Sequence, residues 1–269
     1  MRERIDSPGN ERVKLAASLR QRKHRDREGL FLAEGVRLCE MAAESRWRIS
    51  FGLYTETILA ENRGAALIHR PEERGERLCR VPENVFRKAS ATDSPQGILL
   101  VMEQKRMLLK DLSLSEHPFL MVMDGVRDPG NAGTMIRLAD AAGMDGAILL
   151  RGSVDPFSDK VVRGSMGSLF HLPVCGNVEE ESLLAFLRER GIRLCATAPE
   201  EGSRTCYSED LSGSLALVFG NEAEGVSPAL LRASRRISIP MFGRAESLNV
   251  ATAAAVVVYE ALRQRRNLT

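Results

Sequence analysis

Residues 239–260 read I-P-M-F-G-R-A-E-S-L-N-V-A-T-A-A-A-V-V-V-Y-E, and this stretch says most about the fold. It predicts a long C-terminal helix from Ser247 to about Arg265. Ser247 and Asn249 stand at the predicted helix start, where free backbone amides can bind a ligand. The run of alanines lets a second backbone pack very close. A tightly buried helix without a ligand is the simpler interpretation, and the two are compatible.

A second stretch, residues 217–226, reads L-V-F-G-N-E-A-E-G-V. It predicts an apolar strand that ends at Gly220-Asn221-Glu222, with Gly225 soon after. Free backbone amides and a carboxylate at the carboxyl end of a strand suit a cofactor that carries both charges. Taken by itself, the pattern favours an ordinary polar turn between a strand and a helix.

A third stretch, residues 128–137, reads D-P-G-N-A-G-T-M-I-R. Pro129-Gly130 predicts a turn, and Asn131 is a good N-cap for the helix that follows. Gly133 allows another backbone to approach, although glycine costs a helix about 1 kcal/mol. Arg137 falls about two turns into an otherwise apolar helix, so it must reach the helix edge or meet an anion. A capped core helix with one arginine at its edge explains the stretch equally well.

The remaining sequence alternates short strands with helices, which predicts an α/β fold with a largely parallel, doubly wound sheet in its second half. The predicted strands are residues 30–32, 51–54, 66–68, 78–81, 97–102, 119–123, 146–150, 192–196, 215–219 and 236–239. Helical patterns cover residues 9–29, 36–43, 82–89, 131–142, 179–190 and 247–265, with a short helix from 227. We expect a small α/β domain at residues 1–103, a linker at 104–117 and a second domain at 118–269.

Several kinds of site are excluded by the sequence. No two glycines are two residues apart, so G-x-G-x-x-G is absent, and so is the P-loop pattern G-x-x-x-x-G-K-[ST]. No stretch is apolar for long enough to span a bilayer, and the N-terminus lacks the apolar core of an export signal. The five cysteines have neither metal nor disulfide spacing. We therefore expect no metal, and reduced thiols in the cytoplasm.

Charge is distributed unevenly along the chain. The formal net charge is +2, but residues 1–30 hold nine Lys or Arg against five Asp or Glu. A basic segment on a near-neutral body indicates a polyanionic partner. The candidate phosphate contacts are Arg20, Arg22, Lys23, Arg25 and Arg27. The alternative is a solvated helix face that binds nothing.

Together and in this order, the three stretches resemble the three motifs of the SpoU class of SPOUT RNA methyltransferases. The matching patterns are N-A-G-T-x-x-R, F-G-N-E-x-x-G and I-P-M-x-G-x-x-E-S-L-N-V, and the resemblance covers residues 118–266. Residues 159–168, D-K-V-V-R-G-S-M-G-S, also look like a basic, small-residue segment of the family. The departures are small: Ala251-Thr252 replaces the more usual Val-Ser, and Gly164 stands where alanine is common.

The N-terminal part is similar to the substrate-binding domain of the ribosomal-RNA branch of this class. That domain is a small α/β fold like certain ribosomal proteins. The similarity runs from Ser7-Pro8-Gly9-Asn10 to Phe31-Leu32-Ala33-Glu34-Gly35.

The resemblance implies a deep trefoil knot near residues 217–249, S-adenosylmethionine as methyl donor, and a homodimer with its active site at the subunit interface. The motif residues make Asn131, Arg137, Glu222 and Ser247 the candidate catalytic residues. The candidate cofactor-binding residues are Thr197, Ala198, Gly220, Asn221, Glu222, Ile239, Met241, Ser247, Leu248 and Asn249. The candidate RNA contacts are Arg20, Arg22, Lys23, Arg25, Lys160 and Arg163.

The implied reaction is in-line attack of a ribose 2′-oxygen on the sulfonium methyl, with 23S ribosomal RNA (rRNA) the favoured substrate. The alternatives are a tRNA 2′-O-methyltransferase, a base-directed methyltransferase with the same knot, and a catalytically silent RNA-binding module. The family's equivalent of Arg137 is cast as the general base, but arginine holds its proton very tightly. We therefore expect Arg137 to bind a substrate phosphate and to orient the hydroxyl group.

Overall fold

The computed structural model of the chain describes residues 3–60, 62–198 and 203–266. It divides into two compact units, one made of Met1–Lys105 with Phe157–Phe170 and the other of Arg106–Pro156 with His171–Thr269. The functional domain boundaries predicted above stay a prediction. The compact units differ from them by placing residues 106–117 with the second unit and 157–170 with the first.

Strands and helices alternate along most of the described residues. The strands are β1 (Leu30–Glu34), β2 (Ile49–Tyr54), β3 (Leu78–Arg80), β4 (Ile98–Glu103), β5 (Phe119–Met123), β6 (Gly146–Leu150), β7 (Val174–Val178), β8 (Arg193–Thr197), β9 (Arg204–Thr205), β10 (Leu215–Phe219) and β11 (Arg235–Ser238). The helices are α1 (Glu11–Ser18), α2 (Arg22–Glu28), α3 (Val36–Glu44), α4 (Asn62–Glu73), α5 (Glu83–Ala89), α6 (Pro129–Ala141), α7 (Asp159–Gly164), α8 (Glu180–Glu189), α9 (Pro228–Ala233) and α10 (Val250–Arg266). The predicted α/β class is confirmed.

The first unit is built on a mixed sheet in the order β1-β4-β2-β3. Strand β4 pairs antiparallel with both β1 and β2, and β3 pairs parallel with β2. The central strand β4 carries I-L-L-V-M at residues 98–102, and all five side chains are fully buried. Helices α1 and α5 cover one face through Val13, Ala16, Val85 and Phe86. The continuous apolar run of β4 therefore reflects a strand buried on both faces.

A buried carboxylate ties β1 to the loop before β4. Glu34 is 5% exposed and accepts hydrogen bonds from Ser90 Oγ (2.5 Å), the Ala91 N–H (2.7 Å) and Thr92 Oγ1 (2.6 Å). A buried carboxylate without such donors would be strongly destabilising. Glu34 of the F-L-A-E-G stretch therefore has a structural role in the described unit.

Two expectations for the first unit are corrected. The predicted strand at residues 66–68 is wrong, because these residues lie within α4. A run of three apolar residues fits either a strand or one buried turn of a helix, so the sequence pattern alone does not distinguish them. The helical stretch at residues 9–29 divides into α1 and α2, and Arg25 stabilises the break by donating to the carbonyls of Leu19 (2.8 Å) and Arg20 (2.9 Å).

The second unit is built on a parallel sheet in the order β7-β6-β5-β10-β8-β11-β9. Every pairing in this sheet is parallel, so the predicted largely parallel sheet is confirmed. The chain passes through β5, β6 and β7 in one direction, and β10 later enters the place between β5 and β8. Ligands commonly bind at such a reversal of strand order. The knot implied by the resemblance stays a prediction.

Four aromatic rings hold residues 157–170 in the first unit. Phe157 lies 5.1 Å from Phe31 and 6.2 Å from Trp47 between ring centroids. Phe170 lies 5.6 Å from Trp47 in an edge-to-face arrangement. Tilted and edge-to-face rings at these distances attract one another beyond the area they bury. This segment, which contains α7, is therefore anchored by its apolar side chains on β1 and on the residues after α3.

This anchoring can be tested with Phe157→Ala. Phe157 is 7% exposed, so we expect a loss of about 3–5 kcal/mol in the free energy of unfolding. Trp47 is the single tryptophan, so its fluorescence spectrum should also change. Chemical denaturation followed by tryptophan emission measures both. Tyr207→Ala is the matched control, because Tyr207 is an aromatic residue that is 55% exposed, and equal losses for the two variants would contradict the packing described.

Candidate active site

A cavity of about 630 Å³ lies in the second unit at the carboxyl ends of β8, β10 and β11. All ten predicted cofactor-binding residues line it: Thr197, Ala198, Gly220, Asn221, Glu222, Ile239, Met241, Ser247, Leu248 and Asn249. The prediction missed eight further lining residues: Ala223, Glu224, Gly225, Ile237, Ser238, Glu246, Val250 and Ala253. Four of the eight, namely Ala223, Ser238, Glu246 and Val250, are immediate sequence neighbours of predicted residues, and this adjacency was the available signal for them.

A tight turn after β10 forms one wall of the cavity. The backbones of Asn221 and Gly225 exchange two hydrogen bonds of 3.0 and 2.8 Å, and Gly225 has φ +72°. A Cβ atom on Gly220 would stand 2.2 Å from the Gly225 carbonyl carbon. The Asn221 side chain accepts from the N–H groups of Ala223 (2.8 Å) and Glu224 (3.1 Å). Glycine at 220 and at 225 is therefore required by the turn that presents Glu222.

Three motif residues form one hydrogen-bond chain. Asn249 Nδ2 donates to Asn131 Oδ1 at 3.0 Å, and Asn131 Nδ2 donates to Glu222 Oε1 at 2.5 Å. The structure thus brings together residues from all three stretches that the sequence singled out.

The direction of this chain is set at the start of α10. Asn249 Oδ1 accepts from the N–H groups of Ala251 (2.9 Å) and Thr252 (3.3 Å), as an N-cap does. The Asn249 amide nitrogen must then face Asn131, which presents its oxygen in return. The remaining Asn131 NH₂ group faces a carboxylate, which only accepts when ionised. Each amide orientation therefore follows from the helix cap.

Helix α6 positions Asn131 from the other side. Asp128 is the N-cap of α6, and its Oδ1 accepts from the Asn131 N–H at 2.8 Å. Arg137 lies on the same helix, but it is exposed and does not line the cavity. The Arg137 side chain makes no hydrogen bond or ion pair with the residues that the structure describes.

Acidic groups dominate the electrostatics of this region. Glu222, Glu224 and Glu246 line the cavity. Asp124 directly follows β5, and burial raises the pKa of its carboxyl group. The backbone N–H of Ser227, 2.7 Å from the carboxylate, lowers this pKa in part, whereas the charge of Glu180 raises it. A carboxylate-rich cavity with apolar walls suits a ligand that has a cationic centre.

The predicted RNA contacts lie in the first unit and differ in exposure. Arg20, Arg22, Lys23 and Lys160 are exposed. Arg163 is half-buried and pairs with Asp159 at 3.0 Å. Arg25 is only 3% exposed and its guanidinium binds backbone carbonyls, so its side chain does not belong to the exposed basic surface.

Neither a metal site nor a membrane-spanning helix is found among the described residues. No group of three or more His, Cys, Asp or Glu side chains there has an arrangement that could hold a metal ion. Within the same residues, no helix combines the length and the apolar character needed to cross a membrane.

Comparison with known proteins gives two family matches. The model of the SpoU rRNA methylase family matches residues 118–259. The model of the MRM3-like substrate binding domain matches residues 10–100. The two matches fall on the two parts of the sequence that carried the resemblance.

Individual relatives cover nearly the whole chain. It is 36% identical to a 23S rRNA (guanosine(2553)-2′-O)-methyltransferase of Bacillus subtilis, over 95% of this chain and 97% of that protein. It is 31% identical to a 23S rRNA (uridine(2479)-2′-O)-methyltransferase of Streptomyces viridochromogenes, over 93% of this chain and 88% of the other. The AdoMet-bound structure of an rRNA methyltransferase from Sinorhizobium meliloti superposes with a TM-score of 0.87 at 35% identity, covering 97% of each chain.

The turn after β10 can be tested with Gly220→Ala. The added methyl group would collide with backbone atoms of Gly225, which can move only by opening the turn. We expect the affinity for S-adenosylmethionine to fall by about tenfold to a hundredfold, measured by calorimetry. Gly243→Ala is the matched control in the loop after β11, because its Cβ meets nothing within 4 Å. Equal affinities of the two variants would refute the role of the turn.

Proposed function

The chain belongs to the SpoU rRNA methylase family and is an S-adenosylmethionine-dependent RNA methyltransferase, and we propose that its acceptor is a ribose 2′-hydroxyl of 23S rRNA. The observation that carries this proposal is the Asn249–Asn131–Glu222 chain at the edge of the cavity. It joins one residue from each of the three motifs and leaves their polar groups fixed beside the cavity.

The cavity fits the cofactor in size and in charge. Its volume of about 630 Å³ lies within the range of small-molecule sites. When bound, S-adenosylmethionine supplies a methyl group on an already activated sulfonium. Ile239, Met241 and Leu248 offer apolar contacts, and Glu222 offers a negative charge. We propose that these residues hold the cofactor together with Thr197, Ala198, Gly220, Asn221, Ser247 and Asn249.

The protein's own residues then position the acceptor. Because the oxygen and the nitrogen of the Asn131 amide are both hydrogen-bonded, the side chain is already ordered. It can therefore orient a ribose without further loss of its own conformational entropy. Ser247 is exposed three residues before α10 begins, and we propose that it contacts the same sugar. We propose Asn131, Glu222, Ser247 and Arg137 as the catalytic residues, with Glu222 holding Asn131 in place.

Arg137 fits a role in substrate binding. It is exposed on α6 and outside the cavity lining, so we propose that its guanidinium binds an RNA phosphate next to the target ribose. We also propose a homodimer in which this site is completed by two copies. The exposed apolar side chains of Phe242 and Tyr259 in the second unit support such an interface.

We further propose that Arg20, Arg22, Lys23 and Lys160 contact RNA phosphates, with Arg163 contributing when its pair with Asp159 opens. The match to a substrate binding domain over residues 10–100 supports this role. The two relatives named above act on 23S rRNA, which favours rRNA over tRNA. Both of these relatives are bacterial proteins, and bacterial ribosomes are cytoplasmic, so we propose that the reaction takes place in the cytoplasm.

The function is tested by incubating the protein with labelled S-adenosylmethionine and either 23S rRNA or tRNA, and mapping the methyl group. We expect a 2′-O-methyl in 23S rRNA. Asn131→Asp should lower kcat by about a hundredfold, because it places a second carboxylate against Glu222 and disturbs the acceptor. Asn84→Asp, an exposed residue of α5, is the control. A methylated base, a methylated tRNA or no cofactor binding would support one of the alternatives instead.

The role of Arg137 is tested with Arg137→Lys. A planar guanidinium binds phosphate through two parallel hydrogen bonds, which lysine cannot reproduce. We therefore expect kcat/KM for RNA to fall by about tenfold or more, with cofactor affinity unchanged. Full activity of the lysine variant would contradict this role.

Mixing Arg137→Ala with Asn131→Asp protein should restore part of the activity if two copies share a site, and sedimentation should show a dimer.

A further inference from the structure

An exposed ion pair connects Arg127 to Glu224, one of the residues that line the cavity. Arg127 Nη2 lies 3.4 and 3.5 Å from the two carboxylate oxygens of Glu224. Glu224 lines the cavity and belongs to the turn after β10, whereas Arg127 lies in the loop between β5 and α6. The pair therefore spans the two loops that leave neighbouring strands at the centre of the parallel sheet.

The backbone on both sides of Arg127 is fixed. Val126 is fully buried, and its carbonyl accepts from the Val154 N–H at 2.9 Å. Asp128 caps α6. Arg127 itself has 65% of its side chain exposed. A long cationic side chain on a rigid backbone is well suited to bind a ligand that arrives from solvent.

The ion pair itself is weak. Both side chains are about two-thirds exposed, at 65% and 67%, and the contacts are longer than those of a tight guanidinium–carboxylate pair. Solvent and salt screen such a pair, so it opens readily. A guanidinium held this loosely is available to an incoming anion of higher charge density.

The acidic residues of the cavity lining indicate a role for Arg127. Glu222, Glu224 and Glu246 line the cavity, and the described lining residues include no lysine or arginine. A polyanionic strand that brings its ribose to this cavity would meet repulsion from these carboxylates. Arg127 is the cation that the structure places in contact with one of them.

We propose that Arg127 is a substrate-positioning residue that binds a phosphate of the RNA strand entering the cavity, and that Glu224 holds the guanidinium at the cavity edge until the phosphate replaces it. This inference rests on the proposed function, because it assumes an RNA substrate. It adds a residue outside the three motif patterns to the substrate site, and it makes Glu224 a competitor of the RNA phosphate.

The test compares Arg127→Gln with Glu224→Gln at saturating S-adenosylmethionine. Affinity for a 23S rRNA transcript is measured by filter binding at several salt concentrations, and KM for the same RNA is measured alongside. Arg127→Gln should weaken RNA binding by about tenfold and reduce the slope of log affinity against log salt by about 0.7–0.9, as expected for one lost phosphate contact. Glu224→Gln should tighten RNA binding, by about twofold or more, because the competing carboxylate is gone.

The matched control is a second exposed ion pair of the same unit. Arg151 lies 2.7 Å from Glu179, with side-chain exposures of 71% and 55%. Arg151→Gln and Glu179→Gln should leave RNA affinity and its salt slope unchanged, in contrast to the Arg127 and Glu224 variants.

The opposite signs separate this proposal from a structural role. If the pair only fastened two loops together, both variants would change RNA affinity in the same direction and lower the melting temperature alike, and that result would overturn the proposal. An unchanged salt slope in Arg127→Gln would overturn it too. Filter binding measures RNA affinity and needs no turnover. A wild-type protein that binds RNA without methylating it would therefore contradict the proposed function, while the affinities of the Arg127 and Glu224 variants would still test this inference.

Discussion

The structure of the candidate site depends on one requirement: the amide of Asn249 must cap the last helix. Its oxygen accepts from the first backbone N–H groups of α10, and this leaves a single direction for its NH₂ group. Asn131 must then present its oxygen to Asn249 and its nitrogen to Glu222. Three side chains from three distant parts of the sequence are thus oriented by the need to satisfy one helix terminus.

That chain of hydrogen bonds is possible only because two strands end at the same level. Phe219 of β10 pairs with Met123 of β5, and the Asp124 N–H donates to the Phe219 carbonyl. The loops that follow therefore start side by side, although they are almost a hundred residues apart in sequence. The second loop then folds back on itself because Gly220 has no Cβ to collide with the Gly225 backbone and because Gly225 adopts a φ of +72°. Sheet register and two glycines set the distance between Asn131 and Glu222.

Ten residues of the cavity lining could be predicted because the sequence resembles a known family. Eight of these ten lie in two short continuous motifs, whose turn chemistry alone would not have distinguished a ligand site from an ordinary polar turn, and Thr197 and Ala198 were assigned by the resemblance alone. The placement of residues 157–170 could not be predicted, since it depends on Phe157 meeting Phe31 and Trp47, and these contacts leave no local pattern. Arg25 looked like its exposed neighbours in the basic segment, yet its guanidinium is buried and donates to two backbone carbonyls. Composition reports charge but not where a side chain points.

The two ligands of the proposed reaction carry opposite charges, and this constrains where each can bind. The sulfonium of the cofactor favours a carboxylate-lined cavity, whereas RNA is repelled by it. A unit charge pair at 4 Å is worth about 4 kcal/mol near a protein surface, but solvent-exposed charges beyond about 8–10 Å are largely screened. RNA affinity can therefore be supplied by cations outside the lining without weakening the attraction for the cofactor. The sequence follows this division, with acidic residues on the cavity walls and a basic surplus in residues 1–30.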